Sequence, residues 1–312
     1  MEIKKNTENE VELNIQEIFN LLWNEKIKII LITFSACVLS VVYALSLPNI
    51  YKSEAVMAPT SNSANSLSSI SSQYSGVASL AGISLPSSGE VDKIAMAVEI
   101  MRSLNFFENL VLKHDLFYEL QAPIDWDQTT NTLIANPDIY DTKLNKWVYE
   151  GPNSLNGKPS IQKAHLDFLT NFSTVVDKKT GFIRISVKHY SPYFAKEMVD
   201  LIVSEINTII KVEDIKIAEE SIRLLEQEII NTQLKDLRVG INNLIQKQIE
   251  TMVLANSSPE YVMKTLSPSF VSEKRAAPNR KNIVILSLLL GILLSSLYVL
   301  IRHYVSKPLV QS

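Results

Sequence analysis

The sequence predicts an α+β membrane protein in which two transmembrane helices flank one large α/β base domain with a long protruding helix. Three observations lead to this prediction: an uncharged apolar stretch near each end, alternating strand patterns between them, and a long segment without an interior proline. The chain has 312 residues, of which 46% are hydrophobic and 20% charged. Such a composition excludes a disordered chain, and the two apolar stretches exclude a simple cytosolic enzyme.

The two apolar stretches are long enough to cross a membrane. Residues 29–47 and 283–301 each supply 19 positions without a charge, and about 20 mostly apolar residues cross about 30 Å of hydrocarbon. Basic residues at their edges argue against a buried helix of a soluble protein. A cleaved signal peptide is disfavoured for the first stretch, because six glutamates lie in the 28 residues before it.

Two spans put both termini on one side of the membrane and residues 48–282 on the other. Long loops cross membranes largely regardless of their charge, so the charges near the spans are the only guide to orientation. Lys and Arg near the spans number four on the terminal side and five on the domain side. Charge counting therefore leaves the orientation open.

The first half of the large domain begins with a predicted strand at 51–58. Residues 60–89 hold 12 serines in 30 positions, which is typical of a flexible linker, although we expect the apolar island at 77–83 to dock on the domain. The apolar spacing over 90–120 predicts amphipathic helices with a break near 103–105.

A β-hairpin is predicted further along the chain. Residues 182–189 alternate Ile183, Ile185 and Val187 with polar side chains, as expected for a strand with one solvated face. Residues 172–176 supply the partner strand, and 177–181 the loop.

A long helical segment follows the hairpin. Residues 192–256 contain one glycine, Gly240, and no proline after Pro192, and Ser191 with Pro192 suits the N-cap and first helical positions. One uninterrupted helix would be about 98 Å long, whereas a compact domain of this size is about 45 Å across. The segment therefore protrudes, either as one long helix or as a helical hairpin, and a bend at Gly240 stays open.

A narrow apolar seam runs along this segment with alternating spacings of three and four residues. Its members are Ile215, Ala218, Ile222, Leu225 and Ile229. Such a seam needs a second helix to cover it. The returning segment, a neighbouring subunit or both can do so, and the alternative is an ordinary core helix, which has a wider apolar face.

Motifs that carry chemistry are absent from the sequence. The eight glycines include no phosphate-binding loop, and the four histidines form no metal-binding pair. The triplet Asp125-Trp126-Asp127 is a weak candidate for a metal bound to a nucleotide sugar. The net charge of −3 argues against a nucleic-acid partner, and the single cysteine, Cys37, excludes an intramolecular disulfide.

Seven segments together resemble the Wzz chain-length determinants, the polysaccharide co-polymerases of bacterial lipopolysaccharide O-antigen synthesis. The segments are residues 13–28, 51–58, 76–85, 183–195, 205–207, 221–225 and 276–281. Their order and spacing, rather than any one motif, carry the resemblance, which covers nearly the whole chain.

The resemblance implies an inner-membrane protein that forms ring-like homo-oligomers and regulates O-antigen modal chain length beside the O-antigen polymerase. Its partners would be that polymerase, the nascent O-antigen polysaccharide and the lipid bilayer; it would need no cofactor and would not be an enzyme. The implied layout is cytoplasmic 1–28, transmembrane 29–47, periplasmic base 48–190, helical segment 191–256, return segment 257–282, transmembrane 283–301 and cytoplasmic tail 302–312.

Two residues near the second span are further candidates. The family's segment before this span has several spaced prolines, whereas here only Pro278 holds its place, and it can fix the direction of the chain. Gly291 is expected to allow close approach of the two spans, unless it faces lipid.

Two other functions compete with chain-length control. The first is a co-polymerase-like adaptor for capsule or exopolysaccharide export, although the short tail after the second span offers only Tyr304 to a cytosolic kinase. The second is a membrane-tethered glycosyltransferase that uses Asp125 and Asp127.

Overall fold

The computed structural model describes residues 15–60, 93–231 and 234–306. The serine-rich segment from 61 onward, its apolar island at 77–83 and the segment 76–85 lie outside these residues. The chain divides into two compact units. One comprises the described residues up to Pro48 together with those from Ala277, and the other comprises the described residues of Asn49–Ala276.

The described residues form helices and strands in mixed order. In chain order they are α1 (Ile15–Asn24), α2 (Lys26–Ser46), β1 (Ile50–Pro59), α3 (Lys93–Arg102), α4 (Leu104–His114), α5 (Phe117–Gln121), β2 (Pro123–Asp127), β3 (Thr132–Ala135), β4 (Tyr140–Asp141), β5 (Lys146–Trp147), α6 (Ile161–Asn171), β6 (Phe172–Val176), β7 (Ile183–His189), α7 (Pro192–Asn231), α8 (Lys235–Ser257), β8 (Met263–Ser267), β9 (Arg275–Ala277) and α9 (Arg280–Ser306).

The main sheet of the larger unit has the strand order β6-β7-β1-β8, and β9 also pairs with β1. The predicted strand at 51–58 and the predicted hairpin are confirmed, since β1 and β6 both pair antiparallel with β7. The hairpin loop closes where the amide of Gly181 donates to the carbonyl of Asp177 at 2.8 Å. Gly181 has a φ of +71°, a conformation that costs a glycine little.

One hydrophobic core lies between this sheet and the helices packed on it. Ile183, Ile185 and Val187 point into it from β7, as the alternation predicts, and the largest fully buried side chain is Phe107. The predicted break between the two amphipathic helices is confirmed at Ser103. Its hydroxyl accepts a hydrogen bond from the amide of Phe106 and caps α4.

The long helical segment is a hairpin of two helices, so the alternative of one uninterrupted helix is wrong. Helix α7 ends at Asn231, α8 begins at Lys235, and the two pack against each other. The chain does not break at Gly240, which lies inside α8. The physical reason is burial: folding back before Gly240 covers apolar positions of both helices, which a straight helix leaves in water.

The smaller unit contains the two apolar helices that the sequence predicts as spans. Helices α2 and α9 are long and apolar enough to cross a membrane, and they pack against each other. Only 11% and 17% of their most apolar windows are buried. The core helix of a soluble protein is mostly buried, so this exposure fits two membrane spans.

Candidate assembly surface and membrane helix pair

A half-buried histidine, His189, lies directly before α7 at the base of the hairpin. The Nδ1 atom of His189 accepts from the amide of Ser191 at 3.1 Å, and Nε2 lies 2.9 Å from the carbonyl of Glu119. Because Nδ1 accepts, Nε2 carries the proton and donates. Burial lowers the pKa of His189 to about 4, so the neutral ring is part of the folded state.

Ser191 caps α7 as the sequence predicts. Its hydroxyl accepts from the amide of Phe194 at 3.3 Å, which satisfies one of the unpaired donors at the start of a helix. The histidine and the cap lie two residues apart, so both are part of the short connection between β7 and α7.

The side-chain amide of Asn207 joins α7 to β8, and both its oxygen and its nitrogen form two hydrogen bonds. Its Oδ1 accepts from the amides of Val262 and Met263 at 2.9 and 3.0 Å. Its Nδ2 donates to the carbonyls of Val203 and Met263 at 3.1 and 3.2 Å. The sequence predicted neither β8 nor this role, because a lone asparagine in a helical pattern gives no signal of the strand that it contacts.

Asp214, one residue before the seam, makes a second connection between α7 and the base. Its Oδ2 lies 2.6 Å from Lys93 Nζ of α3 and accepts from the hydroxyl of Tyr261 at 2.7 Å. Burial and this carboxylate raise the pKa of Tyr261. The first half of α7 is thus attached to the base by polar contacts as well as by the core.

The five seam residues lie on the least exposed side of the second half of α7. Ala218 is buried, and Ile215, Ile222, Leu225 and Ile229 are half-buried between exposed neighbours. Helix α8 has a matching side at similar spacing, listed from its start: Ile241, Ile245, Gln248, Met252 and Ala255. Since α7 and α8 pack together, the returning helix of the same chain covers the seam.

A second apolar stripe stays uncovered on one face of the hairpin. On α7 it includes Ile217 and Leu224, which are 53% and 52% exposed. At 100° per residue these two point about 120° away from the seam. On the antiparallel α8, the residues that turn to the same side are Leu237, Leu244 and Leu254, all exposed. We call these five residues the assembly surface.

Gly291 faces the partner helix rather than lipid. A Cβ atom at this position would lie 3.2 Å from Thr33 Cγ2, 3.4 Å from Thr33 Cα and 3.6 Å from Ala36 Cβ. One turn after Gly291, the hydroxyl of Ser295 lies 3.4 Å from that of Thr33. One turn before Gly291, the Ser287 hydroxyl donates to the carbonyl of Ala36 at 3.2 Å. Small side chains and hydroxyls therefore form this contact, as is common between helices in lipid.

Pro278 lies between β9 and the start of α9. The peptide bond from Ala277 to Pro278 is cis, and the carbonyl of Pro278 accepts from the amide of Arg280 at 3.0 Å. The Arg280 guanidinium in turn donates to the carbonyl of Leu47 at 3.0 Å, so the last turn of one apolar helix and the first turn of the other are joined.

Asp125 and Asp127 lie on β2, where hydrogen bonds within the hairpin occupy them. Asp125 accepts from the amide of Trp126, and Asp127 accepts from the Thr129 amide and the Thr130 hydroxyl. These two donors also lower the pKa of Asp127. Within the described ranges, no group of three His, Cys, Asp or Glu side chains is arranged to hold a metal ion.

Comparisons with known proteins support the family resemblance. The family model for Wzz, described as a chain length determinant protein, matches residues 11–114. The resemblance to the Wzz family is confirmed over this part of the chain. The matched residues include α1, α2, β1 and the first two helices of the larger unit, and no curated protein matches the chain.

Two solved structures are also similar to the chain. A full-length bacterial polysaccharide co-polymerase is 12% identical, with a TM-score of 0.41, over 96% of this chain and 100% of that one. A fragment of WzzB, the polysaccharide co-polymerase from Salmonella Typhimurium, is 10% identical, with a TM-score of 0.28, over 73% of this chain and 100% of that one.

Proposed function

We propose that this chain regulates the modal chain length of lipopolysaccharide O-antigen, as a ring-like homo-oligomer beside the O-antigen polymerase. The observation that carries the proposal is the match of residues 11–114 to the chain length determinant family. The two apolar helices fit an inner-membrane protein with two spans. In the proposal, residues 48–282 lie in the periplasm, where they meet the polymerase and the nascent polysaccharide.

The proposed role is regulatory, and no residue is assigned a catalytic function. Wzz co-polymerases are regulators rather than enzymes, and the family match supports the same role here. The Asp125 and Asp127 carboxylates accept hydrogen bonds from their own hairpin.

The proposed oligomer uses the assembly surface, with a second copy of the chain as its occupant. The seam is already covered by α8, so it supports the hairpin rather than the contact between subunits. The assembly surface is instead a set of exposed apolar side chains on one side of the helical pair, and exposed apolar patches are typical of interaction sites. Covering it removes five half-exposed Leu and Ile side chains from water.

The proposal is tested by the lipopolysaccharide banding ladder of a deletion strain, with and without the gene restored. We expect short, random lengths in the deletion strain and one modal cluster after rescue. An unchanged ladder contradicts the proposal. Capsule is measured in the same strains, because loss of capsule with a normal ladder indicates the export adaptor instead.

The assembly surface is tested with the double variant Leu224→Asp, Leu244→Asp in the full-length protein. Both side chains are exposed, so the subunit should fold, while two charges in the contact should dissociate the oligomer in detergent. Ile230→Asp is the matched control, since Ile230 is 82% exposed and lies outside the surface. Equal oligomer size for all three proteins, measured by light scattering, contradicts the assignment.

Pro278 is proposed to fix the direction in which the chain meets α9, because its ring restricts φ. Pro278→Ala should broaden the modal cluster of the same ladder. An unchanged ladder at an equal protein level removes this role.

A further inference from the structure

A cleft opens where the first turn of α2 meets the last turns of α9, at the end of the helix pair away from Arg280. Its volume is about 260 Å³, and α1 closes one side. Leu21 and Val299 form apolar walls, while Glu25, Lys28, Arg302 and His303 are the charged or ionisable residues that line it. The cleft thus combines apolar walls with a polar rim in which basic side chains outnumber the one carboxylate.

The position of the cleft along the helices matches the boundary of the hydrocarbon. Lys28 is the last charged residue before the apolar stretch at 29–47, and Arg302 is the first one after 283–301. Tyr298 and Trp23 are 51% and 60% exposed at the same level. Aromatic rings of this kind are enriched where lipid headgroups begin.

The rim carries positive charge that the protein only partly neutralises. Lys28 Nζ pairs with the Glu25 carboxylate at 2.7 Å. Across the cleft, the Arg302 guanidinium forms no ion pair with any described residue. The Arg302 side chain is exposed, and a phosphate accepts the parallel N–H groups of a guanidinium in a bidentate manner.

We propose that this cleft binds the phosphate of an anionic membrane lipid. Arg302 and Lys28 hold the headgroup oxygens, and the walls at Leu21 and Val299 contact the first carbons of the acyl chains. Free phosphate contacts only the basic side chains of the rim, whereas a lipid contacts these side chains with its headgroup and the apolar walls with its acyl chains. The inference rests on the proposal that α2 and α9 span a bilayer, and it is independent of chain-length control.

The test uses the full-length protein in detergent and in nanodiscs. Native mass spectrometry measures the binding of added phosphatidylglycerol, with phosphatidylcholine as the neutral comparison. We expect preferential binding of phosphatidylglycerol, weakened about fivefold by Arg302→Gln and about 25-fold by Arg302→Gln with Lys28→Gln, since each basic side chain near an anionic surface contributes about this factor.

Lys26→Gln is the matched control, because it removes one charge at the same boundary from a residue that does not line the cleft. Equal losses for Lys26→Gln and Arg302→Gln overturn the proposal in favour of general surface charge. Displacement of the lipid by millimolar inorganic phosphate overturns the role of the apolar walls. Failure of the wild-type protein to enter nanodiscs overturns the spanning helices instead, and so separates the two proposals.

Discussion

The molecule contains two antiparallel helix pairs whose contacts are built in opposite ways. Helices α2 and α9 meet through Thr33, Gly291 and Ser295, and their large apolar side chains, such as Leu31 and Phe34, point outward. In the hairpin, α7 turns the half-buried Ile222 and Leu225 toward α8 and the charged Glu220 and Arg223 outward. The apolar pair meets through small residues, whereas the contact in the hairpin combines the buried Ala218, Ile241 and Ala255 with half-buried large side chains.

The difference fits a hairpin surrounded by water and an apolar pair surrounded by lipid. In water, helices associate because apolar side chains leave the solvent. In lipid, an outward leucine loses nothing, so close backbone approach and hydroxyl contacts hold the helices together. The same residue type therefore has opposite roles: a leucine stabilises the contact in the hairpin and belongs on the outside of the apolar pair.

The largest expected effect comes from charging the seam. Ile222→Asp with Leu225→Asp should destabilise the α7–α8 contact by about 4 kcal/mol, because two apolar contacts are lost and two carboxylates are partly desolvated. Hydrogen exchange of α8 amides measures the opening, and the ladder should become short or random. Ile230→Asp should leave exchange unchanged, and equal protection in both variants would show that the seam does not hold the hairpin.

Protonation of His189 at low pH should destabilise the folded protein by an amount comparable to that of the seam variant. Its pKa is lowered from 6.5 to about 4 in the folded state, so the unfolded chain binds the proton first as the pH falls. The stabilisation is fully present above pH 6.5 and is lost between pH 6.5 and 4, by about 3 kcal/mol.

The measurement is the urea midpoint of the isolated protein in detergent as a function of pH. The variant His189→Gln retains hydrogen-bonding groups but does not titrate, so the slope of stability between pH 6.5 and 4 should become shallower. A slope identical to that of the wild type contradicts the assignment to His189.

Replacing Gly291 with leucine should destabilise the contact between α2 and α9, although leucine is a favourable residue type in the seam of α7. The space beside Gly291 ends at Thr33, 3.2 Å from an added Cβ, so Gly291→Leu should cost about 2 kcal/mol by overpacking. Gly291→Ala should cost less, since a small shift of Thr33 accommodates it. Thermal unfolding in detergent compares the stabilities of the wild type, Gly291→Ala and Gly291→Leu. Equal stabilities would contradict a close contact at this position.

The smallest effect is expected at Gly240, inside α8. A Cβ at this position meets nothing within 4 Å, so Gly240→Ala should stabilise the hairpin by about 0.5 to 1 kcal/mol through helix propensity. The protection of α8 amides against hydrogen exchange should rise. Lower protection would show that α8 requires a glycine at position 240 for a reason other than the contacts described.

Local sequence patterns predicted much of this structure because the features concerned depend on residues that are close together in the chain. The alternation of Ile183, Ile185 and Val187, the break at Ser103 and the cap at Ser191 are each decided within a few residues. The apolar spacing of the seam also predicted that a second helix covers it. The assembly surface was missed because its five residues come from two helices, and the spacing within each helix does not show that both rows turn to the same side.

By itself, the sequence determined the two apolar helices, the hairpin of β6 and β7, the seam and the absence of nucleotide-binding motifs, since all of these are periodicities or short motifs. Only the tertiary structure decided that α8 covers the seam, that Asn207 holds β8 and that Gly291 lies against Thr33. The physical reason is that these contacts join residues far apart in the chain, where burial and hydrogen bonding depend on how the chain folds back.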